Sequence, residues 1–275
     1  LKDASAAAIY GVRAANGVVL ITTKKGAKNQ KAQITYDGYV GFQNASNVLE
    51  LCNAKEYATM MLEGDYNSYV THFKKSIDNY GGSYADSDFH NWTYNTDNDW
   101  YDLMLRTALI TNHSISINGG TEKAAYSLGG SYLYQDGIMD VDNNYKRLNF
   151  RAALDYNATN CLKVGFNGVF SKSEQQVPNN AAWQKAFNCP PIVALYDENN
   201  DKGFPDKYGS PDVLGYTSNF YNPIAFAKYF DSKNESYQAL TNFYAQVDFI
   251  PNKLNLRTNY SYSFLSTQGR EFTPA

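Results

Sequence analysis

The residues best able to recognise or transform a ligand lie between the periodic segments of the chain. The clearest group is Asp97, Asp99 and Asp102 around Trp100, an acidic and aromatic set that resembles the paired carboxylates of a glycoside hydrolase. Such an enzyme needs two carboxyl groups at a fixed separation across a cleft, and nothing in this sequence sets that separation. We therefore expect a solvated loop here and no enzymatic activity.

The segment 197–203 carries oxygen-bearing side chains at alternate positions, as a calcium-binding loop does. These residues are Asp197, Asn199 and Asp201, and they are followed by Gly203. A twelve-residue calcium loop has Gly at its sixth position and Glu at its twelfth. Counted from Asp197, the glycine here comes one position later and no Glu stands at the twelfth position, so an ordinary polar turn is the alternative. Calcium is the only cofactor that the sequence suggests.

Aromatic side chains in the same long stretches can stack on sugar rings or grip the side chains of a peptide. The candidates for contact with a ligand, or with a partner that covers it, are Trp92, Trp100, Trp183 and Tyr196. These rings could equally anchor the loops to one another, and the sequence leaves both interpretations open.

Composition excludes several other classes of function. A net charge of −3 argues against a nucleic-acid partner, which would require a clustered basic surface. Cys52, Cys161 and Cys189 are odd in number and share no metal-ligand spacing, so neither a disulfide framework nor a zinc site is expected. The 24 Tyr and 15 Phe residues are typical of β-structure with aromatic girdles at a membrane interface.

Apolar residues recur at every second position from residue 27 onward, which is the period of a β-strand. No apolar run approaches the about 20 residues that a membrane-spanning helix needs, whereas alternating strands cross a membrane without one. The pattern predicts about seven strands, at 34–42, 113–118, 125–135, 148–156, 162–170, 239–249 and 254–264.

Along the chain the connections between these strands run long, short, medium, short, long and short. The short ones, 119–123, 158–161 and 251–253, all fall on one side of the predicted sheet. Alternation alone does not decide whether the apolar face points into a soluble core or towards lipid. The asymmetry favours lipid, because it is typical of outer-membrane barrels with short periplasmic turns and long outer loops. We place 43–109 and 173–237 on the outer side, with a short helix at 54–63.

The first 26 residues predict a short helix, a turn and a buried strand. An alanine-rich run at 4–10 favours a helix, Asn16-Gly17 is a strong turn signal, and 18–23 is an apolar run ending in two threonines. The chain has no initiator Met and no signal peptide, so we expect an internal piece of a longer protein.

These N-terminal residues resemble the end of the plug domain in TonB-dependent outer-membrane transporters, and more narrowly the SusC/RagA family of Bacteroidetes nutrient importers. The resemblance continues through Tyr36-Asp37-Gly38-Tyr39, Arg106-Thr107-Ala108 and Asn222-Pro223. The residues that carry the plug signature are Asp3, Tyr10, Gly11, Arg13, Asn16 and Gly17.

The resemblance implies an all-β fold in which 1–26 is the C-terminal end of the plug domain. Residues 27–275 would then be the first strands and loops of a 22-stranded transmembrane antiparallel β-barrel in the cell outer membrane, surrounded by lipid. The implied function is TonB-dependent import of a nutrient, most readily a glycan or oligosaccharide and otherwise a peptide. The implied partners are a SusD-like surface lipoprotein that closes the mouth and the TonB–ExbB–ExbD complex, while Arg13 would pair with a carboxylate of the barrel wall.

A surface or secreted β-rich module that binds or cleaves glycans is the alternative interpretation. A passive porin conflicts with the plug signature. The sequence does not identify the substrate, because the outer loops carry no diagnostic pattern.

Overall fold

The computed structural model describes residues 26–83, 92–200, 206–217, 221–250 and 253–273. The predicted helix, turn and strand at the N-terminus lie outside these residues, and so does every residue of the plug signature. The first described residues run beside the turn between two strands, because Asn29 N–H donates to Thr121 O over 3.1 Å and Gln30 O accepts from Gly120 N–H over 2.9 Å. The boundary between plug and barrel at residue 26 stays a prediction.

Seven long strands form one antiparallel sheet whose spatial order follows the chain. A two-stranded ribbon lies apart from it. The predicted number of strands is confirmed, and the sheet is open at its first and last strands. The strands are β1 (Gln33–Gln43), β2 (Gly82–Ser83), β3 (Thr93–Tyr94), β4 (Ala108–Gly120), β5 (Ala124–Asp136), β6 (Asn144–Asn157), β7 (Leu162–Gln176), β8 (Asp231–Ile250) and β9 (Leu254–Phe272).

Tight turns join the strands at one end of the sheet only. Between β6 and β7 the hydroxyl of Thr159 accepts from the N–H groups of Cys161 and Leu162, over 3.3 and 3.0 Å, and so closes the turn without a glycine. Longer segments join the strands at the opposite end, and the shortest of them is 137–143. The predicted asymmetry of the connections is therefore present in the structure.

One face of the sheet, which we call the apolar face, exposes large hydrophobic side chains. Phe42, Leu256 and Tyr260 are 73%, 61% and 64% exposed. The strand register places on this face Ile34, Tyr36, Ile115, Leu128, Tyr132, Leu148, Phe150, Leu154, Phe166, Phe170, Phe243 and Tyr262. Phe150 and Leu154 do not interlock inside a soluble core, which is the arrangement that a water-soluble module would require.

The opposite face, which we call the polar face, carries hydroxyl, amide and charged side chains. Arg151, Asp155, Lys163 and Arg257 lie on it, as the alternation predicts. Short polar contacts cross between its strands, for example from Asn149 Nδ2 to Ser131 Oγ over 3.1 Å. The two faces therefore suit two different environments.

Several strands extend further towards the long connections than the alternation predicts. β4 begins at Ala108 instead of 113, β7 ends at Gln176 instead of 170, and β8 begins at Asp231 instead of 239. These extensions carry charges where the apolar residues stop, with Lys172–Glu174 and Lys233–Glu235 pairs at 2.6 and 2.9 Å. The backbone hydrogen bonds between strands continue in these extensions, but the alternation of apolar and polar residues that reveals a strand in the sequence has ended.

The long connections fold together into one helical layer, which we call the cap. It comprises the described residues of 44–107, 137–143 and 177–230. The predicted helix at 54–63 is confirmed, and none of the helices described here is long and apolar enough to cross a membrane. The helices are α1 (Ala54–Gly64), α2 (Tyr66–Tyr80), α3 (Trp100–Met104), α4 (Ala181–Asn188) and α5 (Pro223–Lys228), with a 3₁₀ turn at Pro211–Leu214.

Local capping explains where the cap helices begin. Asn53 and Glu56 form a reciprocal capping box at the start of α1. Asn222 accepts from the N–H groups of Ile224 and Ala225, and Pro223 occupies the first helical position of α5. The Asn222-Pro223 pair noted in the sequence is thus a helix start.

The buried apolar core lies in the cap. It brings together α1, α2, α3, α4 and the loop after β5, in the set Ala54, Ala58, Tyr69, Phe73, Trp100, Met104, Met139, Ala182, Ala186, Cys189, Ile192, Val193, Leu214 and Ala227. Trp100 is 1% exposed, and its Nε1–H donates to Pro190 O over 3.1 Å. Segments far apart in the chain are therefore held in one body.

Trp100→Ala is expected to loosen the cap while the sheet stays intact. Removing a buried Trp costs about 3–5 kcal/mol because it deletes contacts and leaves a cavity. Limited proteolysis of the variant protein should then cut the cap at much lower protease concentration. The matched control is Phe187→Ala, since Phe187 is 57% exposed on the same layer. Equal protease resistance of both variants would contradict the assignment of Trp100 to the core.

Candidate ligand cleft at the junction of the cap and the sheet

A cleft of about 630 Å³ opens where the strand ends meet the cap. Its walls carry an unusual number of side-chain amides and two aromatic rings, those of Tyr145 and Trp183. The amide residues that line it are Gln43, Asn44, Gln135, Asn143, Asn144, Gln175, Gln176 and Asn180. Each amide offers both donors and acceptors, so the cleft suits neutral polar groups such as sugar hydroxyls or peptide backbone.

Strand register determines which residues line the cleft on the side of the sheet. Gln135, Tyr145 and Gln175 pair across β5, β6 and β7 and share the polar face. From β1, Gln43 joins them, since its Oε1 accepts from Gln135 Nε2 over 3.2 Å and its Nε2 donates to Asp136 O over 2.6 Å. Residues more than 130 positions apart thus form one continuous row.

Arg106 fixes the loop that forms another wall. Its Nη2 donates to Asp136 Oδ1 over 2.9 Å and to Asn143 Oδ1 over 3.1 Å, and its Nε donates to Gly137 O over 3.0 Å. Asp140 lies 3.7 Å from Nη1. One guanidinium therefore holds the β5–β6 connection at both ends, a use for which its fixed fork of donors is suited.

Trp183 is the one predicted aromatic candidate that the structure places at the cleft. It stands on α4, is half-buried, and meets the Tyr101 ring edge-on with centroids 5.8 Å apart. This packing fixes the orientation of the indole while part of its surface stays open. The arrangement suits stacking against a sugar ring or an apolar side chain.

The other aromatic candidates lie elsewhere in the cap. The expected ligand or lid contact at Trp100 is corrected, because its indole is buried in the core and cannot touch either. Trp92 packs on Tyr69 with centroids 5.5 Å apart. Tyr196 is 56% exposed and stacks on Tyr208 at 5.1 Å, so it stays available for contact with a partner.

The acidic group that resembled a hydrolase pair serves helix starts. Asp97 Oδ1 accepts from Ala54 N–H over 2.7 Å, and Asp99 Oδ1 accepts from the N–H groups of Tyr101 and Asp102. Carboxylates in these positions satisfy backbone donors that a helix leaves unpaired. Asp97 therefore serves the start of α1, and Asp99 serves the start of α3.

Half of the calcium-like segment lies within the described residues. Asp197 is buried, its Oδ1 accepts from Asn199 N–H over 2.9 Å, and its Oδ2 accepts from Tyr80 O–H over 3.4 Å. Asp201 and Gly203 lie outside the description. Within the described ranges no cluster of three or more His, Cys, Asp or Glu side chains could hold a metal ion. Calcium binding at 197–203 stays a prediction.

Burial keeps the titratable groups of the cap core neutral. It raises the pKa of the Cys189 thiol far above its ordinary value, and it raises the pKa values of the Tyr57 and Tyr216 phenols, whose hydroxyls lie 3.2 Å apart. A thiol that stays protonated is a poor nucleophile and metal ligand. These groups therefore act through packing.

The sequence alone did not predict that the side-chain amides of the cleft lie together. Gln43, Gln135 and Gln175 are unremarkable polar residues at the ends of separate periodic segments. The only available signal is that each falls on the polar side of its own alternation, close to where the strand ends. Strand register brings Gln135 and Gln175 together, and a side-chain hydrogen bond joins Gln43 to Gln135.

Comparisons with known proteins agree with this architecture, although no family model matches the chain. TonB-dependent receptor P3 of Formosa agariphila is 30% identical over 277 residues, which cover 100% of this chain and 25% of the relative. TonB-dependent receptor SusC of Bacteroides thetaiotaomicron is 31% identical over 227 residues, which cover 81% of this chain and 20% of the relative. The chain thus spans a quarter or less of the length of these two relatives.

Solved structures of the RagAB peptide importer share the fold. The "closed-closed" state matches 98% of this chain and 32% of that chain with a TM-score of 0.74 and 24% identity. The "open-open" state matches the same shares with a TM-score of 0.74 and 25% identity. These relatives are receptors and importers, and none of them is described as an enzyme.

Arg106→Gln is expected to free the β5–β6 connection. The amides of Gly137 and Asp140 are held by Asn143 O and Met104 O, both over 2.8 Å. Loss of the guanidinium should speed the hydrogen exchange of these two amides by about tenfold or more. A tenfold change corresponds to about 1.4 kcal/mol, close to the contribution of one charge-assisted hydrogen bond.

The control for this measurement is Arg270→Gln on the edge strand β9. This change removes an exposed guanidinium that pairs with Asp231 at 3.1 Å. Exchange at Gly137 and Asp140 should not change in that variant. If Arg106→Gln also leaves both amides protected, Arg106 does not hold this wall.

Proposed function

Because this chain belongs to the SusC/RagA family of TonB-dependent receptors, we propose that it forms the plug junction, the first seven strands and the first outer loops of a nutrient importer in the outer membrane. The observation that carries the proposal is the exposed apolar face. It is bounded by tight turns at one end and by the cap at the other. Water is a poor solvent for such a face, and hydrocarbon is a good one.

The dimensions of the apolar face fit a bilayer. On β6 it runs from Leu148 to Tyr156, and on β9 from Leu256 to Phe264. These lengths are close to the about 9–11 residues that a tilted strand needs to cross the hydrocarbon core. Towards the cap the same face ends in Lys172, Glu174 and Lys233, which would lie at the level of the lipid headgroups.

The polar face would line the lumen, where a plug closes the pathway. A barrel of 22 strands is wide enough to leave a channel unless something fills it. Moving the plug requires work, which the TonB–ExbB–ExbD complex would supply from the periplasmic side. No bond of the solute is made or broken in this process.

The cleft of amides and aromatic rings is the proposed first contact for the solute. Amide side chains with Trp183 and Tyr145 suit a neutral glycan or oligosaccharide, because they bind hydroxyls and stack on sugar faces. A peptide is the second candidate. It is favoured by the RagAB neighbour, which is described as a peptide importer.

A SusD-like lipoprotein is the proposed lid. The neighbour exists in open-open and closed-closed states, which supports a mouth that opens and closes. The exposed ring of Tyr196, stacked on Tyr208, gives the cap a rigid aromatic surface for such a partner.

A surface or secreted glycan-binding module remains the competing proposal, and extraction separates the two. A barrel wall should leave the envelope only with detergent, whereas a surface or secreted module should be released by salt or alkaline washing. Release without detergent would favour the module.

Uptake by cells should report the two proposed contacts separately. Trp183→Ala is expected to raise the solute concentration for half-maximal uptake by about tenfold, since stacking on one ring contributes about 1–1.5 kcal/mol, and to leave the maximal rate unchanged. Tyr196→Ala should instead reduce co-purification of the lid. Uptake in both should stop when tonB is deleted, and persistence of uptake would contradict the proposed mechanism.

A further inference from the structure

Four cationic side chains lie on the polar face of the described strands. Two of them are balanced by nearby carboxylates, and two are not. Near the tight turns, Lys163 pairs with Asp248 at 2.7 Å. Arg257 lies 4.1 Å from the centre of the Tyr244 ring, whose hydroxyl donates to Asp155 over 2.6 Å. The end of the polar face opposite the cap is therefore electrically balanced by its own carboxylates.

Arg147 and Arg151 lie nearer the cap on β6 and have no such balance. Arg147 donates through Nε to Asn149 Oδ1 over 2.9 Å and to Ser171 Oγ over 3.2 Å. Within the described residues, the terminal nitrogens of Arg147 and the whole guanidinium of Arg151 have no hydrogen-bond or ion-pair partner. Both side chains are exposed. Two fixed positive charges thus stand on one strand with most of their donors unused.

The neighbouring strands place no charged residue beside these arginines. Arg147 faces Leu133 on β5 and Ser173 on β7, and Arg151 faces Gly129 on β5 and Val169 on β7. Asn149, which lies between the two arginines, faces Ser131 and Ser171. A Cβ at position 129 would lie 2.7 Å from Arg151 Nε, so the guanidinium extends across the bare glycine. In these rows the nearest described carboxylate, Asp37, is three strands away on β1.

The arginines continue the cleft along the polar face. Tyr145 and Gln175 line the cleft as a register pair, and the next pair on this face is Arg147 with Ser173. Two rows further, Arg151 follows, about 13 Å from Arg147 along the strand. A solute that leaves the cleft for the lumen would therefore meet Arg147 first and Arg151 second.

We propose that Arg147 and Arg151 form a binding track for anionic groups, carboxylate or sulfate, on the transported solute. This inference rests on the proposed function, since it requires the polar face to line the import pathway. Guanidinium groups bind carboxylates and sulfates through paired N–H donors, and a site with no carboxylate of its own has charge to offer. The solute is then an acidic oligosaccharide or an acidic peptide, held by neutral contacts in the cleft and by charge below it.

Modification by phenylglyoxal, which reacts with accessible guanidinium groups, tests the track in outer-membrane vesicles carrying the whole receptor. Rates at Arg147 and Arg151 are read by mass spectrometry with and without four probes: trigalacturonate, its methyl ester, a tetra-aspartate peptide and the corresponding tetra-asparagine peptide. Arg270, on the other face of the sheet, is the internal reference.

At least one carboxylated probe should slow modification of both arginines by about tenfold, the effect of about 1.4 kcal/mol of binding, and its neutral counterpart should not. The acidic probe that protects the arginines from modification shows whether the solute is a carbohydrate or a peptide. Failure of both acidic probes to protect would overturn the proposal. So would unreactive arginines in the resting receptor, because that result would mean that the plug covers them.

A glycine variant separates the track from general stability. Gly129→Ala keeps both charges but displaces the Arg151 guanidinium, so protection at residue 151 should fall while protection at 147 persists. Gly130→Ala is the matched control, since a Cβ there has 3.9 Å to its nearest neighbour. Protection lost equally in both variants would contradict the geometry. TonB-dependent uptake, measured in parallel, tests the proposed function independently, so that either can fail alone.

Discussion

In the proposed orientation, the boundary between hydrocarbon and water governs the seven-stranded sheet. One face of the sheet exposes Phe, Tyr, Leu and Ile side chains, and the other exposes hydroxyls, amides and charges. Inside hydrocarbon each backbone N–H and C=O also needs a partner from the protein, which only a continuous antiparallel ladder closed on itself provides. The long paired strands meet that requirement within the sheet, and the unpaired edges of β1 and β9 are where it would join further strands of the proposed barrel.

The cap obeys the opposite rule. Its Trp100, Tyr69 and Phe73 are buried like the core of a soluble domain, and its helices begin at ordinary polar caps such as Asn53 and Asp65. The polar extensions of the strands connect it to the membrane part. The amide cleft forms where the sheet and the cap meet, so the proposed solute site has rigid strands on one side and a packed helix on the other.

The sequence predicts the strands and their faces well because alternation with period two is imposed by lipid on one side and water on the other. Strand ends beyond the bilayer were missed, since residues such as those of 171–176 and 231–236 are polar on both faces. The helix at 54–63 was recognised but α2 was missed, although Tyr69, Phe73 and Ile77 mark its buried stripe at helical spacing. Whether Trp100 contacts a ligand or anchors the loops stayed open at the sequence level, because sequence does not distinguish a buried indole from an exposed one. The cleft depends on register between distant strands, which no local pattern encodes.

Labelling of the native cysteines tests the orientation of the sheet in the membrane most directly. Cys52 is exposed in the cap, Cys161 is exposed in the tight turn at the opposite end, and Cys189 is buried. A maleimide attached to a polyethylene glycol too large to cross the outer membrane should label Cys52 on intact cells. It should label Cys161 only after the outer membrane is permeabilised, and Cys189 only after denaturation. Labelling of Cys161 on intact cells at the rate of Cys52 would contradict a sheet that spans the membrane.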